Sequence, residues 1–225
     1  MFNLRRQQIK AYNQAVNANI LWVAVVAYLF GAIPFGVLVA RTYRVDIQKV
    51  GSGNTGAANV LRAAGWGAAL VVALADIFKG GVPMLIAQAF GMPGWELALV
   101  GFFAILGHNY SIFLGFKGGK GVATSFGTVF LIDIGLGLCI LPIFVATVAI
   151  TRYSSAASIL ASFSGIVFAI ALQREWWKVV MLIMIFMLIL WQHRDNLKRL
   201  AAGNERQFNQ KAALIVPPET ATKHD

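Results

Sequence analysis

Long apolar runs begin near Ile20 and recur as far as Trp191, with only short polar connections between them. Runs of this length are what it takes to cross a bilayer, where every backbone N–H and C=O must find a partner inside the protein. Helices meet that demand segment by segment. The chain therefore reads as an all-α, polytopic membrane helical bundle with about seven transmembrane helices and glycine-rich cytoplasmic loops. A hydrophobic fraction of 58% lies above that of ordinary soluble domains and agrees with this reading.

The expected crossings are 20–40, with Pro34 kinking its second half, a second run from about residue 65, and then 95–114. The stretch 122–150 is too long for one comfortable crossing and divides near Asp133 into a short helix and a full one. The last two runs end near Leu172 and at Trp191, with Trp176, Trp177 and Trp191 placed as interfacial anchors. Three segments follow: a polar N-terminal extension over 1–19, a single membrane-embedded domain over 20–205, and a flexible polar tail over 206–225. The polar start, followed by a run too long for a signal peptide, argues against a cleaved leader.

A net charge of +10 invites a nucleic-acid reading, but the cations sit in the connections between apolar runs. That is the pattern of positive charge kept on the cytoplasmic side of a membrane, so no nucleic acid is expected. With the tail after Trp191 inside, the loops carrying Arg41, Arg44, Lys49, Arg62, Lys117, Lys120 and Arg152 all fall on the cytoplasmic face. Arg5, Arg6 and Lys10 then fall outside, the one misfit. Within the second run, Asp76 and Lys79 stand three apart and can pair on a helix, or else line a substrate cavity. Cys139 stands alone, which excludes an intrachain disulfide.

Chemistry concentrates in three segments. In GHNYSIFLGFKGGKGVAT, residues 107–124, Gly118, Gly119 and Gly121 surround Lys117 and Lys120. Free backbone amides in such a turn form an anion-binding concavity, and two lysines add charge of the right sign. The spacing is not that of a Walker A loop, and a flexible cationic loop remains the alternative. GSGNTGAANVLR, residues 51–62, offers Gly51, Ser52, Asn54 and Arg62. Its small polar residues suit turns and caps, and Arg62 has the planar fork that grips two phosphate oxygens at once. After the last apolar run, His193 and Asn196 share one face of a helix, a proton acceptor or donor beside an orienting amide. His108 reads as a structural hydrogen bonder, Lys198 and Arg199 as cations facing lipid phosphates, and Glu205 as an ion-pair or helix-end residue. No metal-ligand spacing, Gly-x-Ser-x-Gly elbow or His-x-x-x-x-Asp pattern occurs, so neither a metal nor a cofactor is expected.

These segments together resemble the bacterial membrane glycerol-3-phosphate acyltransferases that use acyl phosphate as donor. That family's patterns GSGNxGAxNxxR, GHxxPxFLxFKGGKGVAT and HxxNIxRLxxGxE match residues 51–62, 107–124 and 193–205. Two positions depart: Ser111 stands for proline and Leu197 for isoleucine. The turn RYSSAAS at 152–158 also looks like the family's, which adds Ser155 as a lining residue. The resemblance implies acyl transfer from acyl phosphate to the 1-hydroxyl of glycerol-3-phosphate in the bacterial inner membrane, multi-pass, with its site facing the cytoplasm. The implied partners are these two substrates, membrane lipid and the soluble enzyme that makes acyl phosphate. Ser52, Arg62, Lys120, His193 and Asn196 are then the catalytic candidates. Gly51, Asn54, Lys117, Gly118, Gly119, Gly121 and Ser155 bind substrate or phosphate, and Glu205 is structural. A small-anion or organophosphate transporter is the alternative from another class.

Overall fold

The computed structural model describes residues 20–212. The expected N-terminal extension and tail residues 213–225 lie outside that range. Helix α1 covers 20–31 and α2 Phe35–Thr42, so the kink expected at Pro34 is a full break. Proline lacks an N–H and disfavours helical backbone in the residue before it. The carbonyls orphaned there are not left bare. Ala32 accepts from the Ser111 hydroxyl at 2.6 Å and Ile33 from the Lys79 ammonium at 2.9 Å. Ser111 sits at φ −64°, the value proline itself imposes, and adds a hydroxyl that proline lacks.

A 3₁₀ turn at Ile47–Lys49 leads through the 51–56 loop into α3, Ala57–Ala89. Gly65, at φ 86° and ψ −179°, divides α3 into a leading piece, 57–64, and a long apolar piece. Only glycine enters that region of backbone space readily. The second helix thus begins eight residues earlier than the hydropathy alone implies, and the added piece carries Arg62. Then follow α4, Gly94–Asn109; a 3₁₀ turn, Ile112–Leu114; α5, Val122–Ile132; α6, Ile134–Thr151; α7, Ser154–Ala171; and α8, Trp176–Gln192. A 60° bend at His193 leads into α9, Arg194–Ala201.

Five of these stretches are long and apolar enough to cross a bilayer, and α8 with α9 makes a sixth across its bend. The seventh apolar segment, α5, has 11 residues. That is a rise of about 16 Å, well short of a full crossing. Among the described residues seven apolar segments are therefore present, as expected, but not seven complete crossings. The division at Asp133 is where the sequence puts it. The Asp133 carboxylate accepts from the Leu136 amide at 3.1 Å, capping α6, and pairs with Arg174 at 3.1 Å and Lys178 at 3.0 Å.

Packing follows small residues and apolar stripes. A Cβ at Gly80 would lie 2.0 Å from the Thr124 carbonyl oxygen, and one at Gly127 2.0 Å from that of Ile77. These glycines let α3 and α5 touch backbone to backbone, as membrane helices do where small residues meet. Ile105, Val129, Ile140, Leu182 and Ile185 fill the space among α4 to α8. Large side chains such as Trp22, Phe78, Ile134 and Ile150 point outward, an apolar belt suited to lipid. Trp176 and Trp191 are exposed at the two ends of α8, whereas Trp177 departs from the anchor expectation and packs inward against Gly94. Asp76 and Lys79 pair at 2.8 Å, both buried, with His108 Nδ1 3.6 Å from Asp76. An ion pair removed from water in this way holds together because each partner satisfies the other.

Candidate active site

Two connected spaces meet at one end of the bundle. The first is a cavity of about 390 Å³ running among α3, α5, α6, α7 and α8, with walls of Leu70, Ile77, Phe126, Phe144 and Leu182. The second is a more open space of about 1120 Å³ lined by Gly51, Lys117, Gly118, Asp195, Gln210 and Lys211. Ser52, Asn54, Arg62, Lys120, Arg199 and Arg206 line both, so the boundary between apolar and polar space is a cluster of cations and small polar groups.

The 51–56 loop is held from within. Asn59, buried at the start of α3, donates to the carbonyls of Val50 at 2.9 Å and Asn54 at 3.0 Å and accepts from the Ser52 amide at 3.1 Å. Asn54 accepts from the Gly56 amide at 2.9 Å. These bonds leave the Ser52 hydroxyl and the Arg62 guanidinium at the cavity wall. Arg62 Nε is buried without a hydrogen-bond partner among the described residues, which suits a group awaiting an anion.

The glycine loop departs from the expected cradle of free amides. Gly118 donates its N–H to the Asn109 carbonyl at 3.1 Å and Gly119 to that of His108 at 3.0 Å. Those amides are spent on the end of α4 and cannot also hold phosphate. A Cβ at Gly119 would fall 1.9 Å from His108 Nε2, so this glycine allows close packing and lines neither space. Lys117 is exposed in the open space, while Gly121 at φ 78° starts α5 and lines the cavity. Val122 and Ala123, in α5's first turn where backbone amides have no intrahelical partner, line the cavity, as do Ala57 and Ala58 at the start of α3.

Lys120 donates to the Asn196 side-chain oxygen, and Asn196 in turn donates to Glu205. Glu205 also accepts from Ser155 at 3.0 Å and Arg199 at 2.8 Å. Burial works against the Glu205 anion, but the hydrogen bonds from Asn196, Arg199 and Ser155 outweigh it and hold its carboxyl below the usual range. Glu205 is thus the post to which α7, α9 and the Lys120 loop are tied. Burial pushes the Lys120 ammonium down to about 8, with Glu205 opposing and Arg199 and Arg62 adding to the effect. His193, buried at the α8–α9 bend, lies with Nδ1 2.8 Å from the Ile189 carbonyl. A carbonyl only accepts, so Nδ1 carries the proton and Nε2 is left as an acceptor beside the cavity.

Arg199 and Arg206 are the residues that sequence reasoning missed. Arg199 carried a signal, its spacing to Glu205 in the third segment, but reads as one more juxtamembrane cation. Arg206 follows that segment and carried none. Arg152 contributes only its backbone: its carbonyl accepts from the Phe208 amide at 2.7 Å.

Fold and site together are those of an integral-membrane acyltransferase. The chain belongs to the glycerol-3-phosphate acyltransferase family, whose model matches residues 21–203. A glycerol-3-phosphate acyltransferase of Thermus thermophilus is 55% identical over 192 residues, 85% of this chain and 96% of the relative. One from Deinococcus radiodurans is 45% identical over 86% of this chain and 98% of its own length. Among solved structures, the integral membrane glycerol 3-phosphate acyltransferase PlsY in its glycerol 3-phosphate form superposes with a TM-score of 0.80 at 40% identity, covering 84% of this chain and 95% of that one. Its lysophosphatidic acid form gives a TM-score of 0.79 at 39% identity, with the same coverage of both chains. Family membership sets aside the transporter alternative.

Proposed function

We propose that the chain transfers a fatty acyl group from acyl phosphate to the sn-1 hydroxyl of glycerol-3-phosphate, giving lysophosphatidic acid and inorganic phosphate, the first step of phospholipid synthesis. The bacterial inner membrane is its location and the cytoplasm is the side its site faces, in keeping with the cationic loops gathered there. A soluble enzyme that makes acyl phosphate is the expected supplier. The observation that carries the reading is the junction of an apolar cavity with an open polar space through one cationic boundary. An acyl chain needs the first, a small water-soluble anion needs the second, and the phosphate of each needs the boundary. The relatives' names, and the ligand forms of the solved one, support the same substrates.

The donor is a mixed anhydride with a good leaving group, so attack is direct and needs no acyl-enzyme. The acceptor's hydroxyl oxygen bonds to the acyl carbon, the carbon–oxygen bond to phosphate breaks, and the hydroxyl proton passes through a base to the released phosphate. Lys120, Arg62 and the first-turn amides of α5 hold phosphate oxygens and favour the charge that develops at the carbonyl. Ser52 orients the acceptor. Asn196 acts on the acceptor through Lys120, which it holds in position. Two groups can take the proton: His193 Nε2, or the acceptor's own phosphate, whose second pKa is near 6.

Purified protein given labelled glycerol-3-phosphate with acyl phosphate, and in parallel with acyl-coenzyme A, tests the reading. Label in lysophosphatidic acid from acyl phosphate alone is the expected result. Product from acyl-coenzyme A alone, or no lipid product, overturns it.

A further inference from the structure

Residues 206–212 cross the mouth of the site as a strap, just beyond the stretch that the family model matches. The strap is pinned at both ends. Before it, Glu205 is tied to Ser155, Asn196 and Arg199. Within it, the Gln207 carbonyl lies 3.5 Å from Arg62 Nη1, the Phe208 amide donates to Arg152 at 2.7 Å, and the Ala212 amide donates to the Arg62 carbonyl at 3.0 Å. The Phe208 ring meets Trp66 edge-on at 5.9 Å. Arg206 is therefore carried on backbone fixed from either side, and its side chain lines both the apolar cavity and the open polar space. Among the described residues it takes part in no ion pair, whereas Arg199 beside it is consumed by Glu205. A guanidinium carried on fixed backbone, with no anionic partner among the described residues and beside an Arg62 whose Nε has none there either, is arranged for a ligand's anion.

We propose that Arg206 is a phosphate-binding residue, a second guanidinium that works with Arg62 where the two spaces join. The charge inventory calls for it. Each phosphorylated substrate brings about −1.5 to −2 at neutral pH, and Arg199 has already given its charge to Glu205. With Arg206 counted, the boundary offers Arg62, Lys120 and Arg206 to two phosphates. The Phe208–Trp66 contact is the latch that keeps Arg206 in place.

This inference rests on the acyl-transfer reading, and its test separates the two. Turnover is measured with acyl phosphate and glycerol-3-phosphate, and binding of radiolabelled inorganic phosphate is measured by equilibrium dialysis, for the wild type and the variants. Arg206→Gln is expected to raise KM for at least one phosphorylated substrate about tenfold and to weaken phosphate binding, with kcat within about threefold. Arg206→Lys recovers most of the loss because a cation remains. Phe208→Ala shifts the same KM in the same direction with no change of charge. Wild-type turnover together with a Gln variant within about twofold in both KM values and in phosphate binding overturns the role of Arg206 alone. No wild-type turnover with phosphate binding that falls in the Gln variant overturns the acyl-transfer reading and leaves Arg206 as an anion site. A wild type that neither turns over nor binds phosphate overturns both.

Discussion

In the proposed reaction Lys120 carries the most exacting demand on any single side chain, since there it has to be charged to hold phosphate yet is largely taken out of water. With its ammonium pushed down to about 8, it is cationic below that pH and neutral above it. The substrates' phosphates, with a second pKa near 6, are already mostly doubly ionised across that range. So kcat/KM, which reports the free enzyme, falls about tenfold between pH 7 and pH 9, and Lys120→Arg, with a group charged throughout, removes the decline. A flat wild-type profile would take Lys120 out of the binding step. At His193 the two candidate bases part. His193→Ala lowers kcat about a hundredfold where the imidazole takes the proton, and raises only KM where the substrate's phosphate does. At this scale residue patterns singled out Ser52, Asn54, Arg62, Lys120, His193 and Asn196, and the family resemblance added Ser155; these line one cavity together with Glu205, which reads from sequence as a structural residue. Their bonding was not. The amides of Gly118 and Gly119 are claimed by carbonyls of the preceding helix, and no local pattern reveals which donors a tertiary contact has already taken.

The elements divide in the same way. Hydropathy locates the runs, and Asp133 marks a division because a carboxylate there ends one helix and caps the next. It does not reveal that Gly65 turns a loop residue's helix into the front of α3, because the 57–64 piece is too short and too polar to register as a crossing. Nor does it show that Pro34 breaks its helix outright, since that outcome depends on Lys79 and Ser111 arriving from elsewhere to satisfy the freed carbonyls. The cluster around Asp133 is an element-level staple that joins the α5–α6 joint to the start of α8, far along α8 from His193. Asp133→Ala removes the α6 cap, worth about 1 kcal/mol, along with its pairing to Arg174 and Lys178. Thermal unfolding in detergent is expected to shift downward while KM for both substrates is unchanged. A matching change in KM would mean that the staple and the site are one unit.

As a whole, the molecule brings segments some 140 residues apart in sequence, Ser52 to His193, to a single boundary. That convergence was readable in outline from the side of the membrane on which the cationic loops fall. The three-dimensional junction of apolar and polar space was not, because its residues come from α3, α9, two loops and the strap after Glu205, and no single segment makes it. The shortness of one part of the bundle carries a further consequence. Helices α6, α7 and α8 have 18, 18 and 17 residues, and Lys178, near the start of α8, is committed to Asp133. At 1.5 Å per residue these helices rise about 26 Å, against roughly 30 Å of hydrocarbon in a typical bilayer. Lipid around that side has to thin to meet them, at a cost that grows with each ångström of excess. In proteoliposomes of monounsaturated phosphatidylcholines, turnover is therefore expected to fall as the lipid acyl chains lengthen from 14 to 22 carbons, and equal rates across the series would count against it. A catalyst that makes membrane lipid would in this way sense the thickness of the membrane it is building.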